Sequence, residues 1–326
     1  MSQEITFAQA SNMAMDEALG LDDSVFILNE DVGDREGGGV AKVTMGLSTK
    51  HGAHRVRSTP ISEQAIAGAA VGAALAGMRP VAEIMLANFL SVAMDQIVNH
   101  AAKIRFMSGG QTGVPLTIRS MSGAGMSSGG QHSDMLEAWF AHVPGLKVVI
   151  GSTPAEVKGL LLSCIFDDDP CIFLETMPTY WDKGPAPEPG LRIPLGKANV
   201  ARSGSDISVI SYGRPVRQIL ALAERLADEG ISLEVVDLRT ISPIDKTTIL
   251  ESVAKTGRAV VVHEAIEQFS VGSGISALIA EELHGTLRAP VVRVGSRNCP
   301  VPFSRPLEDA YMYSDDRIEA AIRKAL

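Results

Sequence analysis

Apolar residues along this chain fall into short β-rich runs separated by stretches with helical spacing. A helical pattern opens at about residue 7 and ends near residue 19. Val25–Val32 reads as a buried strand running into an acidic loop. A helix (about 63–77), a strand (about 80–85) and a helix (about 93–106) follow, then a strand over Val114–Arg119. A Gly/Ser-rich loop runs from Ser120 to Gly130. Beyond it the pattern predicts a helix from about Ser133 to Ala141, a strand at Leu146–Ile150, a helix at Pro154–Phe166 and a strand at Cys171–Thr176. Strand alternating with helix implies a parallel sheet covered on both faces.

The period then lapses. Five prolines lie between Pro178 and Pro194, a composition that suits a linker. After it the alternation restarts: strands at about 206–212, 231–238, 259–263 and 290–294, with helices between them and a closing helix at 315–324. In the first of those helices Val216, Ile219, Leu220, Ala223, Leu226 and Ala227 mark one face. The expected division is a first α/β domain over 1–177, a Pro-rich linker over 178–199 and a second α/β domain over 200–326.

Composition narrows the class. The chain has 326 residues, 45% hydrophobic and 21% charged, enough for two folded domains. A net charge of −9 argues against nucleic acid or an anionic membrane as the main partner. Three irregularly spaced cysteines, Cys164, Cys171 and Cys299, fit a reducing compartment rather than a disulfide framework or a cysteine zinc site. The opening residues do not read as a signal peptide, and the longest apolar stretch, Ala65–Met78, is too short to span a bilayer. The expected location is the cytoplasm.

Three motifs invite chemistry they do not support. Gly125-Met126-Ser127-Ser128-Gly129 matches a nucleophile elbow, but its strand ends several residues too early. Gly272–Ala277 resembles a dinucleotide fingerprint, yet a long loop separates it from the preceding strand, so a helix start is the better reading. His51 and His54 sit in a polar loop with Lys50 and Arg55, and no zinc site is expected there. Asp167-Asp168-Asp169 reads as a charged turn.

Two residues carry more. Thr59-Pro60-Ile61-Ser62-Glu63-Gln64 leads into a helix rich in alanine and glycine. Thr59 is placed to cap it, Pro60 suits the first helical position, and Glu63 falls in the first turn. On position alone Glu63 is either a capping acid or a rigidly launched catalytic carboxylate. Gly68, Gly72 and Gly77 cost helix propensity, which makes sense if another backbone packs closely. His132 follows the glycine loop at an expected helix start. It is either a capping-region residue or a proton-transfer group aimed into a cleft. The chain has neither a P-loop nor a Gly-Asp-Gly followed by asparagine that would hold magnesium and a diphosphate.

Several long motifs in order, TPISEQAIAGAAVGAALAGMRPVAEIM, DQIVNHAAKIRFMSGGQ, QHSDMLEAWFAHVPGLKVV, STPAEVKGLL, DLRTISPID and PVPFSRPLED, resemble the beta subunit of thiamine-diphosphate 2-oxo acid and acetoin dehydrogenases. The resemblance implies a transketolase-like α/β fold with two parallel-sheet domains, a pyrimidine-binding domain and a transketolase C-terminal domain. It implies an alpha subunit that holds magnesium and diphosphate, a heterotetramer of two alpha and two beta chains, and transfer of an acyl group to lipoyl on an acyltransferase core.

Residue by residue, Glu63 matches the glutamate that hydrogen-bonds the pyrimidine ring nitrogen and favours its imino tautomer, which deprotonates the thiazolium carbon. Ile61, Met85 and Phe89 match the walls of the pyrimidine site. His132 matches the histidine near substrate and lipoyl group. Leu116, Cys164, Ile165, Asp167 and Asp169 match positions where some relatives hold a structural potassium ion, largely through carbonyls. Asp134 departs from the family's usual glutamine beside that histidine. The Met-containing loop Arg119–Gly125 leans towards acetoin as substrate, with pyruvate second and branched-chain acids third. The rival expectations are a non-catalytic scaffold of the same fold and a serine hydrolase using Ser127.

Overall fold

The computed structural model describes residues 4–326, which form two compact units. The first runs to Ser122 and resumes over Trp139–Leu195; the second comprises Gly123–Ala138 and Gly196–Leu326.

The first unit contains β1 (Glu4–Thr6), α1 (Phe7–Leu21), β2 (Val25–Asn29), α2 (Leu47–His51), β3 (Val56–Ser58), α3 (Glu63–Leu75), β4 (Arg79–Leu86), α4 (Ile104–Met107), β5 (Thr117–Ser122), most of α5 (Glu137–Ala141), β6 (Lys147–Val149), α6 (Pro154–Ile165), β7 (Cys171–Thr176) and β8 (Lys183–Pro185). Six parallel strands run in the order β6-β7-β5-β4-β2-β3. Their near-continuous burial is what a sheet covered on both faces requires. Helix α1 begins with a capping box: the Thr6 hydroxyl accepts the Gln9 N–H and the Gln9 side chain accepts the Thr6 N–H. Pro154 opens α6, with the Thr153 hydroxyl accepting the Glu156 N–H at 3.2 Å.

The Pro-rich stretch expected as a linker is packed instead. Lys183–Pro185 pairs antiparallel with Glu4–Thr6, and the Ile193 N–H reaches the Gly159 carbonyl at 3.2 Å.

Other elements also differ from expectation. Strand β5 starts three residues late, because Pro115 cannot donate to a ladder, and runs on to Ser122. The helix expected over 93–106 is a π-helical stretch, Asp95–Ala101, followed by the short α4. The helix expected from Ser133 begins at Glu137, so His132 lies in a turn and not at a helix start.

The second unit contains β9 (Asn199–Arg202), β10 (Ile207–Ser211), α7 (Arg214–Ala227), β11 (Leu233–Asp237), β12 (Thr240–Ser242), α8 (Lys246–Thr256), β13 (Ala259–Ile266), α9 (Val271–Leu283), β14 (Val292–Ser296), α10 (Arg305–Tyr311) and α11 (Asp315–Ala325). Its five-stranded sheet has the order β14-β13-β10-β11-β9, parallel except for the edge strand β9. Buried faces of α7 and α11 close a core with Val209, Val235, Val260 and Val262. Helix α9 opens at the glycine run that mimics a dinucleotide fingerprint. A Cβ on Gly272 would lie 2.6 Å from the buried His263 ring, so that glycine admits a side chain of its own sheet rather than a pyrophosphate.

Candidate active site

Three of the residues expected around a pyrimidine ring sit at the carboxyl ends of neighbouring strands. β2 lies between β3 and β4. Glu30 follows β2, the segment Thr59–Ser62 follows β3, and Met85 and Phe89 lie at or just beyond the end of β4. Open parallel sheets bind ligands at this edge.

Helix α3 begins at Glu63 itself. Ser62 is its N-cap, without a side-chain cap hydrogen bond, and Thr59 and Pro60 belong to the connection from β3. The expected Thr59 cap and first-position Pro60 are therefore corrected. The residue before a proline favours extended backbone, and the Thr59 N–H bonds the Asn29 carbonyl at 2.9 Å, which prolongs the sheet edge. The helix dipole still favours a negative charge on Glu63.

Glu63 is half-buried, and Met85 and Phe89 are partly buried against the first core. Ile61 is 78% exposed, the one member of the set that stands clear of its own unit.

The structure adds an acid that spacing did not reveal. Glu30 is buried, and its carboxyl is raised by burial and then by the negative charges of Glu63, Asp31 and Glu83. Beneath these lies an ionic network. Arg119 donates to Glu83 Oε2 at 2.7 Å and to Glu175 Oε2 at 2.6 Å, and all three are buried. Tyr180 donates to Glu175 at 3.2 Å and Ser11 to its other oxygen. In sequence these residues show only as polar interruptions of strands. The one signal was a charge inside an otherwise apolar run.

The close backbone approach expected at the α3 glycines is absent within this chain. A Cβ on Gly72 or Gly77 would meet nothing within 4 Å, and one on Gly68 only the Gln96 side chain. Ile66, Ala67, Ala70, Val71 and Ala74 face inwards, while Ala65, Ala69, Gly72 and Ala76 are exposed.

His132 belongs to the second unit, half-buried in a turn whose N–H bonds the Gly129 carbonyl at 3.2 Å. Ser127 adopts φ +54°, and its N–H and hydroxyl both reach the buried Glu308 carboxylate. No helix starts at Ser127, so the nucleophile-elbow geometry is missing.

Leu116, Cys164, Ile165, Asp167 and Asp169 gather at one corner of the first unit. The Leu116 carbonyl accepts the Cys171 N–H at 2.9 Å and the Cys164 carbonyl the Asp167 N–H at 3.1 Å. Arg79 donates to the Asp167 carbonyl at 2.9 Å. Both Asp167 carboxylate oxygens lie 2.6 Å from the Lys147 ammonium, and Asp169 pairs with Arg105.

Comparison with known proteins fits this geometry. Residues 3–181 match the family model described as "Transketolase, pyrimidine binding domain", and residues 196–318 match "Transketolase, C-terminal domain". A solved split-gene transketolase, titled as an inactive beta4 tetramer, superposes with a TM-score of 0.79 at 23% identity, covering 99% of this chain and 98% of that one. These define the class: an α/β protein of transketolase architecture. The subunit beta of acetoin:2,6-dichlorophenolindophenol oxidoreductase from Cupriavidus necator is 47% identical, over 100% of this chain and 98% of its own length. The 2-oxoisovalerate dehydrogenase subunit beta of Bacillus subtilis is 42% identical over 98% of each chain. The pyruvate dehydrogenase E1 component subunit beta of Staphylococcus epidermidis is 44% identical over 93% of each. The chain belongs to this family of dehydrogenase beta subunits.

Proposed function

We propose that this chain is the beta subunit of a thiamine-diphosphate-dependent dehydrogenase acting on acetoin or a 2-oxo acid, with acetoin the first substrate. One observation carries the catalytic reading: the half-buried Glu63 opens α3 at the carboxyl edge of the sheet, with Glu30 buried in its field.

The residues present fit a pyrimidine ring. Met85 and Phe89 offer apolar surface, and Glu63 offers a carboxylate able to share a proton with a ring nitrogen. Bound there, thiamine diphosphate supplies the carbon nucleophile for attack on the substrate carbonyl. Glu63 holds the proton at the ring nitrogen, and the apolar wall excludes water and strengthens that contact. His132 serves the substrate side, moving a proton or stabilising charge there.

The partner is an alpha subunit that holds magnesium and the diphosphate, in an assembly of two alpha and two beta chains. Ile61, Val92, Phe106 and Met107 are more than half exposed on the first unit, which supports a partner chain covering them. The exposed small-residue face of α3 supports the same reading. The second unit docks a lipoyl acyltransferase core that receives the acyl group. Potassium at the Leu116–Asp169 corner belongs to the proposal too, since a carbonyl oxygen such as that of Leu116 has two lone pairs and can accept beyond its hydrogen bond to the Cys171 N–H. Three cysteines outside any disulfide suit the cytoplasm.

The test is thiamine-diphosphate-dependent reduction of an artificial electron acceptor by this chain, alone and with its alpha subunit. Acetoin, pyruvate and 3-methyl-2-oxobutanoate are supplied separately. Activity is expected only with both chains and highest with acetoin. Glu63→Gln keeps the shape, removes the ionisable acid and should lower turnover by about 10²-fold or more. A folded, assembled pair with the glutamine variant at wild-type turnover would sink the assignment.

A further inference from the structure

In the second sheet the connections leaving the central strands go opposite ways: β11 lies on one side of β10, β13 on the other. Open α/β sheets leave a crevice for ligands at the carboxyl end of such a switch point. Here that position is taken by the chain's own segment from Gly123 to Ala138. Ala124 is part of the second core, and its N–H bonds Glu264 near the end of β13 at 2.7 Å. Arg214, the first residue of α7, donates to the Ala124 carbonyl at 3.1 Å.

Further anchors follow. Glu308 of α10, fully buried, accepts the Gly125 N–H at 2.7 Å and the Ser127 N–H at 3.0 Å. Ser127 is held there in the left-handed region, a backbone conformation that persists in an L-residue only where its surroundings fix it. At the far end, Tyr212, just after β10, donates to Glu137 Oε1 at 2.7 Å. His132 lies between the anchored ends.

We propose that Glu264, Glu308 and Glu137 are positioning residues for His132: they grip the backbone on either side of it as a crevice grips a ligand, and so fix where the imidazole stands. The proposal rests on the reading of His132 as the active-site histidine. The arrangement is more than an ordinary buried cluster, because two of the three carboxylates spend an oxygen on loop amides and the third opens the helix that ends the loop. Glu264 Oε2 and Glu137 Oε2 are buried and have no hydrogen-bond partner among the described residues, so each is a place for a proton. Burial pushes the Glu264 carboxyl up to about 7, against the pull of Arg214 and the Ala124 N–H and with the push of Glu137 and Glu308. The phenols of Tyr212, Tyr311 and Tyr313 also sit in the field of Glu264. The grip is therefore set to change near neutrality.

The experiment is hydrogen exchange of the full chain, read on peptides covering residues 123–132, together with turnover of the chain assembled with its alpha subunit. Glu264→Ala and Glu308→Ala are expected to raise exchange at Ala124, Gly125 and Ser127 at least tenfold and leave Ile207–Ser211 protected. They should lower kcat at least tenfold with the KM for thiamine diphosphate within twofold. Glu264→Gln, which keeps one acceptor, should restore most of the protection and flatten the pH profile of kcat around 7. His132→Ala is the control. If it turns over like wild type, the reading of His132 fails, whatever the glutamate variants do. If it is inactive, yet the alanine variants fold with unchanged exchange, or loosen the loop without losing kcat, the positioning role is overturned. Should the alanine variants not fold, a pH profile of kcat in Glu264→Gln that keeps the wild-type shape around 7 overturns it equally.

Discussion

Both units bury acids, and they handle them differently. In the first, a guanidinium sits between two carboxylates. Glu83 and Arg119 are direct cross-strand partners on β4 and β5, and Glu175 reaches the same guanidinium from β7. Burial opposes the charge on Arg119, but Glu175 and Glu83 outweigh it and hold the group protonated, while burial raises Glu83. In the second unit, Glu137, Glu264 and Glu308 are buried, Arg214 acts on Glu264 through its charge, and the partners of the three are mostly backbone amides and a phenol. Burial pushes Glu137 up as well, with Tyr212 pulling the other way. A fixed cation makes the first set a foundation in which two carboxylates share one permanent positive charge. Amide and phenol donors leave Glu137 and Glu264, both raised by burial, able to take up protons, and it is the second set that grips the loop carrying His132.

The strongest way to break this contrast is to remove the fixed cation. Arg119→Met keeps the volume roughly and leaves two buried carboxylates facing each other. Removing one partner of a buried ion network costs about 3–5 kcal/mol. Urea denaturation should show a loss of that size, with the first unit unfolding earlier. A loss under about 1 kcal/mol would mean that water or a relaxed strand reaches Glu83 and Glu175, and the network is no foundation.

The second test is the pH dependence of stability. The Glu264 carboxyl rises from its ordinary 4.5 to about 7 in the fold. The native state therefore binds this proton more tightly than the unfolded chain. Its stabilising contribution is complete below about 4.5 and is lost as pH climbs through about 7, at most about 3 kcal/mol in all. Glu264→Gln should remove that decline, so the difference between wild type and variant should change across this window and level off above it. Parallel stability curves for the two proteins would show that Glu264 has an ordinary carboxyl and that the second set does not titrate near neutrality.

How far these features could be read from the sequence differs in the same way. The order of strands and helices was legible because apolar runs and helical stripes alternate cleanly, while Glu63, Met85 and Phe89 were singled out only by long motifs. β5 was misplaced because its later half, Arg119-Ser120-Met121-Ser122, is polar by composition and buried by pairing. A hydrophobic period cannot register a charge that is neutralised in three dimensions. The helix α3 was expected from about residue 63, where it begins, but its cap was put too early, because Thr59 and Pro60 have the right chemistry for a cap and yet serve the sheet edge. Glu264 and Glu308 were not legible at all. Their partners at Ala124, Gly125 and Ser127 are 140 residues or more away in the chain, and a glutamate near the end of a strand or inside a short helix looks the same whether it faces solvent or a buried amide. Three-residue strands such as β1 and β8 carry too few positions to show any period.

The smallest expected effect concerns a cation that could be exchanged rather than mutated. At the corner of Leu116, Cys164, Ile165, Asp167 and Asp169, positive charge is already built in. Arg79 lies on the Ile165 and Asp167 carbonyls at 3.5 and 2.9 Å, Lys147 on the Asp167 carboxylate, and Arg105 on Asp169. Potassium there would add to carbonyls that already accept hydrogen bonds, and it would find the Asp167 and Asp169 carboxylates already paired. Binding to the native state alone stabilises in proportion to the logarithm of ion concentration over Kd, so a weak site contributes about 1 kcal/mol or less. Replacing potassium by sodium should then move Tm by no more than about 2–4 °C. A drop of 10 °C or so would mean that the corner depends on a bound ion in spite of Arg79. Fixed cations would then not suffice in the first unit, and the contrast between the two units would be one of degree.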